Sequence, residues 1–141
     1  MQSRKPAIGI FESAIVHALL VGRRFGILTT GSGMKHPLTA GVHAFLGASS
    51  ARFAGVVTSG LGVVELREGD RGKVEASMKG TSARVAEKGA DVLILGCAGM
   101  AGMEKLVQDG VREAGLGEVI VIDGAKAGLE ILAGLSRRYN S

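Results

Sequence analysis

Asp91-Val-Leu-Ile-Leu-Gly-Cys-Ala-Gly-Met100 is the stretch from which the rest of this 141-residue chain can be read. Asp91 to Leu95 is a short, largely apolar run, too brief for a buried helix and typical of a strand covered on both faces. Gly96 loosens the backbone, and Cys97, the only cysteine in the sequence, stands where that strand ends. Ala98-Gly99 open a turn, after which Met103, Leu106, Val107, Val111 and Ala114 recur at helical spacing. A thiol at the carboxyl end of a strand, ahead of a helix, occupies the ligand position of an open α/β sheet. Unpaired N–H groups at such a helix start favour a thiolate or a bound anionic oxygen. A free cysteine is also a small apolar side chain suited to burial, so position alone leaves both roles open.

Working outward, the same strand–turn–helix punctuation recurs. Ala7 to Phe11 reads as a first strand, preceded by Pro6 and followed by a helix that starts at Glu12-Ser13 and carries Ala14, Ile15, Ala18 and Leu19 on one face. Gly22 stops it. Phe25 to Leu28 is a second strand, ending in Thr29-Thr30-Gly31-Ser32-Gly33, and Pro37 suits the first turn of a helix with Leu38, Val42, Phe45 and Leu46. Phe53 to Val57 is a third strand, ending in Thr58-Ser59-Gly60. A looser connection runs from Gly62 to Gly69, and Asp70 then caps a helix bearing Val74, Met78, Val85 and Ala86. The Cys97 strand is fourth. Val119 to Ile122 is the last, followed by Asp123-Gly124 and a helix with Leu129, Ile131, Leu132 and Leu135. Right-handed crossovers turn this alternation into one α/β domain over residues 1–141. Its expected form is an open, mostly parallel sheet of about five strands with helices on both faces.

Composition narrows the functional classes. A chain of this length buries roughly two-thirds of its unfolded surface. Many glycines beside short Val/Ile/Leu runs suit tight βα turns and exclude a fibrous or disordered chain. One cysteine excludes an intrachain disulfide and argues against a cysteine-rich metal site; no metal is expected. The net charge of +4 raises the question of nucleic acid. The basic residues are scattered, however, with only Arg23-Arg24 and Arg137-Arg138 adjacent and no aromatic stacking platform, so no nucleic-acid partner is expected. No apolar stretch reaches the length of a membrane span, and the N-terminal residues lack a signal-peptide pattern. The expectation is a soluble, cytoplasmic protein with no membrane partner.

In a parallel sheet all carboxyl ends lie on one rim, which gathers Glu12, Thr29, Thr30, Thr58, Ser59, Cys97 and Asp123. His17 and His43 fall within helices and read as packing or surface residues. A Cys–His pair could form only through His36 and is not expected. Gly31-Ser-Gly33 fits neither a P-loop nor a dinucleotide fingerprint. Thr29-Thr30 could hydrogen-bond a substrate carbonyl or simply satisfy the turn backbone, and Asp123 could orient a catalytic group or cap the following helix.

Taken together, Pro6-Ala-Ile-Gly-Ile-Phe-Glu-Ser13, Phe25-Gly-Ile-Leu-Thr-Thr30, Gly89-Ala-Asp-Val-Leu-Ile-Leu-Gly-Cys-Ala-Gly-Met100 and Val121-Ile-Asp-Gly124 resemble the Asp/Glu/hydantoin racemase superfamily. The resemblance is to its hydantoin/allantoin racemase-like branch, which includes fungal members of uncertain activity. It covers nearly the whole chain from Pro6 onward, and Leu-Gly-Cys-Ala-Gly-Met is its most specific part. It implies one lobe of a two-lobed α/β fold with the active site between the lobes. It also implies cofactor-independent chemistry in which one cysteine per lobe moves a proton on either face of the reacting carbon. Cys97 matches the second of those cysteines. Ala98 and Gly99 match the turn whose amides hold a substrate oxygen, and Thr29-Thr30 match the polar strand end lining the cleft; Glu12 falls in the first matching segment. The match corresponds to the second half of the family pattern, without the first lobe and its cysteine.

Two functions follow. One is a racemase or epimerase acting by thiol proton transfer next to a carbonyl, in a hydantoin, allantoin or amino-acid-like substrate, impaired or incomplete as an isolated chain. The other is a non-catalytic domain that binds a small anion or a partner. A lone second lobe exposes a rim that would be covered by a homo-oligomeric contact, in keeping with a mean hydropathy of +0.29.

Overall fold

The computed structural model describes residues 9–139. Four parallel strands, β1 (Phe25–Thr29), β2 (Phe53–Thr58), β3 (Val92–Leu95) and β4 (Ile120–Asp123), form one sheet in the order β2-β1-β3-β4. The two central strands, β1 and β3, are buried along their whole length. That is why their sequences are apolar without alternation. Side chains nevertheless divide between the faces. Phe25, Ile27, Val92, Ile94 and Ile122 meet α1 (Ile10–Val21), α2 (Lys35–Leu46) and α6 (Gly124–Tyr139), whereas Leu28, Leu93 and Leu95 meet α3 (Val63–Glu68), α4 (Arg71–Glu87) and α5 (Glu104–Glu113). Each fully buried Ile or Leu contributes about 1.5–3 kcal/mol, so the sheet is held mainly by what covers it.

Register aligns the strand ends. Ile27, Ile94 and Ile122 form one row and Leu28, Leu95 and Asp123 the next, which brings the carboxyl ends of three strands to a common rim. The β1–β2 register slips by one residue between Phe25 and Gly26, where Gly55 takes φ +115, a bulge that a residue with a Cβ would resist. The opposite rim is tied by side chains. Asp91 accepts the N–H groups of Arg23 (3.0 Å) and Arg24 (2.9 Å), and the Arg52 guanidinium donates to the carbonyls of Leu19, Gly22 and Arg23 at the end of α1. Burial would raise the Asp91 carboxyl, but the Arg24 and Arg23 amides together hold it below the usual carboxylate range.

Several sequence expectations are corrected here. Of the expected first strand, Ala7 and Ile8 lie outside the described residues, and Ile10 and Phe11 open α1 instead. Gly9 caps that helix in extended conformation, and its carbonyl accepts both the N–H (2.9 Å) and the hydroxyl (2.6 Å) of Ser13. The loose connection after β2 contains α3, which buries Leu66. The α2 helix starts at Lys35, two residues ahead of Pro37. In α6 the buried positions are Gly124, Ala127 and Gly128, while Leu129 is 71% exposed. That helix packs along α1 through small residues, with Gly128 against Ser13, while Leu135 is also exposed and Ile131 and Leu132 are half-buried.

Candidate active site

The site begins with a glycine that has no room for a side chain. Gly96 continues β3 by one residue, donating its N–H to the Leu28 carbonyl at 2.7 Å. A Cβ there would lie 2.8 Å from both Ile27 Cγ2 and the Leu28 oxygen. The chain therefore runs flush against β1, and Cys97 emerges half-buried at the rim. Met100 N–H donates to the Cys97 carbonyl at 3.0 Å, closing a 3₁₀ turn over Ala98–Met100. Met100 and Met103 are buried beneath that turn and anchor it. The helical spacing expected from Met103 is realised as α5, which starts at Glu104 after Gly102 takes φ +84.

Cys97 lies on the wall of a cleft of about 360 Å³. Phe11 and Ala14 of α1, Leu38 of α2, and Ile27 and Ile94 of the sheet build its apolar sides. Asp123, Gly124 and Ala125 also line it, so the first residues of α6, like Phe11 near the start of α1, meet the thiol's cleft. Asp123 Oδ1 accepts the N–H groups of Ala125 (2.9 Å) and Lys126 (3.4 Å). Asp123 thus caps α6 and lines the cleft at once. Behind it, Lys126 Nζ stands 3.6 Å from Glu104 Oε1, an ion pair joining the starts of α5 and α6.

The other expected site residues take different places. Thr29 and Thr30 are buried but are not among the cleft-lining residues. Their carbonyls accept Ser59 N–H (2.9 Å) and Gly60 N–H (3.1 Å), so their backbones secure the loop after β2. Thr29 Oγ1 is enclosed without a hydrogen-bond partner among the described residues, and its Cβ lies 3.6 Å from the space beside Gly96. Ala98 and Gly99 fall in the turn after Cys97, and Gly99 is not among the cleft-lining residues. Glu12, in the first turn of α1, folds its carboxylate back over Gly9 and also lies off the cleft. Sequence reading placed Asp123 on the rim without assigning it to the site. It missed Phe11 and Leu38, whose apolar character carries no signal separating a cleft wall from core.

His36 is the exposed second residue of α2 and does not line the cleft, while the His43 ring meets Phe53 edge-on at 6.0 Å. Among the described residues no group of three His, Cys, Asp or Glu could hold a metal ion, and no helix is long and apolar enough to cross a membrane.

The sequence model of the Asp/Glu/Hydantoin racemase family matches residues 1–132. An uncharacterised protein of Schizosaccharomyces pombe is 42% identical over 135 residues, 95% of this chain and 55% of its own. A hydantoin racemase from a Pseudomonas species is 29% identical over 126 residues, 89% of this chain and 47% of its own. Among solved structures, an allantoin racemase from Pseudomonas fluorescens superposes with a TM-score of 0.76 at 29% identity, covering 94% of this chain and 53% of that one. The chain spans about half the length of the curated relatives it matches.

Proposed function

From the membership of this chain in the Asp/Glu/hydantoin racemase family, we propose that it moves a proton at a carbon next to a carbonyl, with Cys97 as the acid or base. The substrate would be a hydantoin, allantoin or an amino-acid-like molecule. The observation that carries this reading is the position of the thiol: half-buried, at the carboxyl end of a central strand, on the wall of a cleft. As base, Cys97 thiolate takes the proton, an S–H bond forms, and the C–H electron pair passes into the carbonyl to give an enolate. The Ala98–Gly99 turn would offer backbone N–H groups for that oxygen, and Thr29, enclosed beside Gly96 and off the cleft wall, would support the strand end from within. Thr30 and Glu12 are assigned supporting roles at the same rim. No cofactor enters this scheme.

Inversion needs a second acid on the opposite face of the planar intermediate, and one thiol serves one face. We assign the second group to polypeptide beyond this single domain, either further chain or another copy in a homo-oligomer, with residues 1–141 acting as the second half of the racemase unit. We propose in addition a small-molecule substrate and a soluble, cytoplasmic setting, without a nucleic-acid partner. The alternative of a non-catalytic anion-binding domain draws on the same half-length match.

Incubation of a chiral hydantoin in D₂O, followed by proton NMR and polarimetry, tests the reading. Exchange with racemisation supports two-base chemistry, and exchange without racemisation supports a single acting thiol. Cys97→Ser should lower either rate at least about a hundredfold. Neither exchange nor racemisation, with the fold intact, leaves the binding domain. Unchanged exchange in Cys97→Ser refutes the role of the thiol.

A further inference from the structure

We propose that the open edge of the sheet carries a binding site for a small phosphate-type anion, free phosphate or diphosphate, separate from the Cys97 cleft and independent of the role given to the thiol. No strand lies on the outer side of β2. A depression of about 230 Å³ there is bordered by Val56, Val57 and Thr58 of β2 and by three cations. These come from separate places in the chain: Lys35 opens α2, Arg84 lies in the last turn of α4, and Lys88 caps that helix. No carboxylate lines the depression, and it shares no lining residue with the cleft. Among the described residues none of the three cations has an ion-pair partner.

The strand supplies donors as well as a wall. Successive residues of a strand turn their backbone groups to opposite sides. Ser59 N–H reaches across to the Thr29 carbonyl of β1 at 2.9 Å, whereas the Thr58 carbonyl faces the other way and accepts Arg84 Nη2 at 3.1 Å. Thr58 and Val56 therefore direct their N–H groups to the open side, where no strand pairs with them. Arg84 Nη2 also donates to Thr81 Oγ1 at 3.2 Å, which fixes the guanidinium at the rim and leaves Nε and Nη1 without a partner among the described residues. A fixed guanidinium, two ammonium groups and outward amides are a donor set suited to phosphate oxygens. The same Arg84 bond disfavours an extended peptide, because it occupies the Thr58 carbonyl that an added strand would need. Size disfavours a whole nucleotide. The depression holds the volume of about eight waters at roughly 30 Å³ each, below the roughly 300 Å³ at which pockets for larger ligands begin.

Titration of the isotope-labelled protein with pyrophosphate near neutral pH and at low salt, followed by amide NMR, tests the proposal. The Val56 and Thr58 amides should shift saturably, with half-saturation at or below about 1 mM. Arg84→Gln and Lys88→Gln should each weaken binding at least about fivefold. Lys105→Gln removes the same charge from the exposed face of α5, away from the depression, and should change affinity by less than about twofold. Cations beside an edge strand also discourage pairing with a second sheet, and if that is their whole role no saturable shift occurs. That result overturns the proposal. So do largest shifts at Gly124 and Ala125 in the cleft, equal weakening by Lys105→Gln, or tighter binding of ADP than of pyrophosphate. Arg84→Gln gives up the bond to Thr58 and could unfold the edge, but the Lys88 side chain makes no hydrogen bond among the described residues, so Lys88→Gln remains decisive.

Discussion

Replacing Gly96 by Ala tests whether contact between β3 and β1 positions the thiol. The added Cβ would stand 2.8 Å from Ile27 Cγ2, at least about 0.7 Å inside the 3.5–4.0 Å optimum for carbon pairs. It would also stand 2.8 Å from the Leu28 carbonyl oxygen, which is backbone and already accepts Gly96 N–H at 2.7 Å. Ile27 can yield little, since it is 1% exposed. Overpacking of this kind costs about 1–3 kcal/mol, and weakening the sheet hydrogen bond adds up to about 1. The lower entropy of an unfolded alanine offsets about 0.4–1 kcal/mol. The expected net loss is about 1–3 kcal/mol, which moves a urea midpoint down by about 1 M at an m-value near 2 kcal/mol/M. Because Cys97 is the next residue, its alkylation rate should change as well. Gly80→Ala is the control: it lies inside α4, its new Cβ meets nothing within 4 Å, and it should stabilise by about 0.5–1 kcal/mol with alkylation unchanged. A Gly96→Ala protein as stable as wild type would refute the argument that the strand contact leaves no space.

Two further substitutions probe the opposite rim. Asp91→Asn should cost about 1–3 kcal/mol near neutral pH, because a charged acceptor of the Arg23 and Arg24 amides is lost. The Asp91 carboxyl is depressed below its ordinary 3.8 in the folded protein, so the folded state binds fewer protons than the unfolded chain just below that value. Its contribution is present above about pH 4 and disappears as the pH falls through the lower folded value. Urea titrations across pH 2–7 should therefore show the two proteins converging only in acid, and a gap independent of pH would contradict the assignment. Arg52→Lys should lower stability by about 1 kcal/mol, since one ammonium cannot reproduce the fork that reaches the Leu19, Gly22 and Arg23 carbonyls. Thermal melts indistinguishable from wild type would remove Arg52 as the brace at the end of α1.

What the sequence determined by itself was the α/β alternation and the thiol's place within it. Short buried strands leave uninterrupted apolar runs such as Val92 to Leu95, and the small residues after them mark where the chain must turn, so Gly96-Cys97 is legible as a strand end without any tertiary information. Family membership was legible for the same reason: the residues around a strand-end cysteine are contiguous in the chain. The composition of the cleft was decided only by the tertiary structure. Phe11, Leu38 and Ala125 are far apart in sequence and meet because α1, α2 and α6 all cover the same face of the sheet. Thr29 and Thr30 share the rim with Cys97, yet their carbonyls are committed to the Ser59–Gly60 loop and they do not line the cleft. Leu129 and Leu135 of α6 belong to its helical period but are exposed, because close approach to Ser13 of α1 requires Gly128 and the neighbouring small residues at the contact. Periodicity specifies that a helix has an apolar side. Which side is buried, and which side chains share a cleft, depends on register and helix–helix distance, which are properties of contacts between segments distant in the chain.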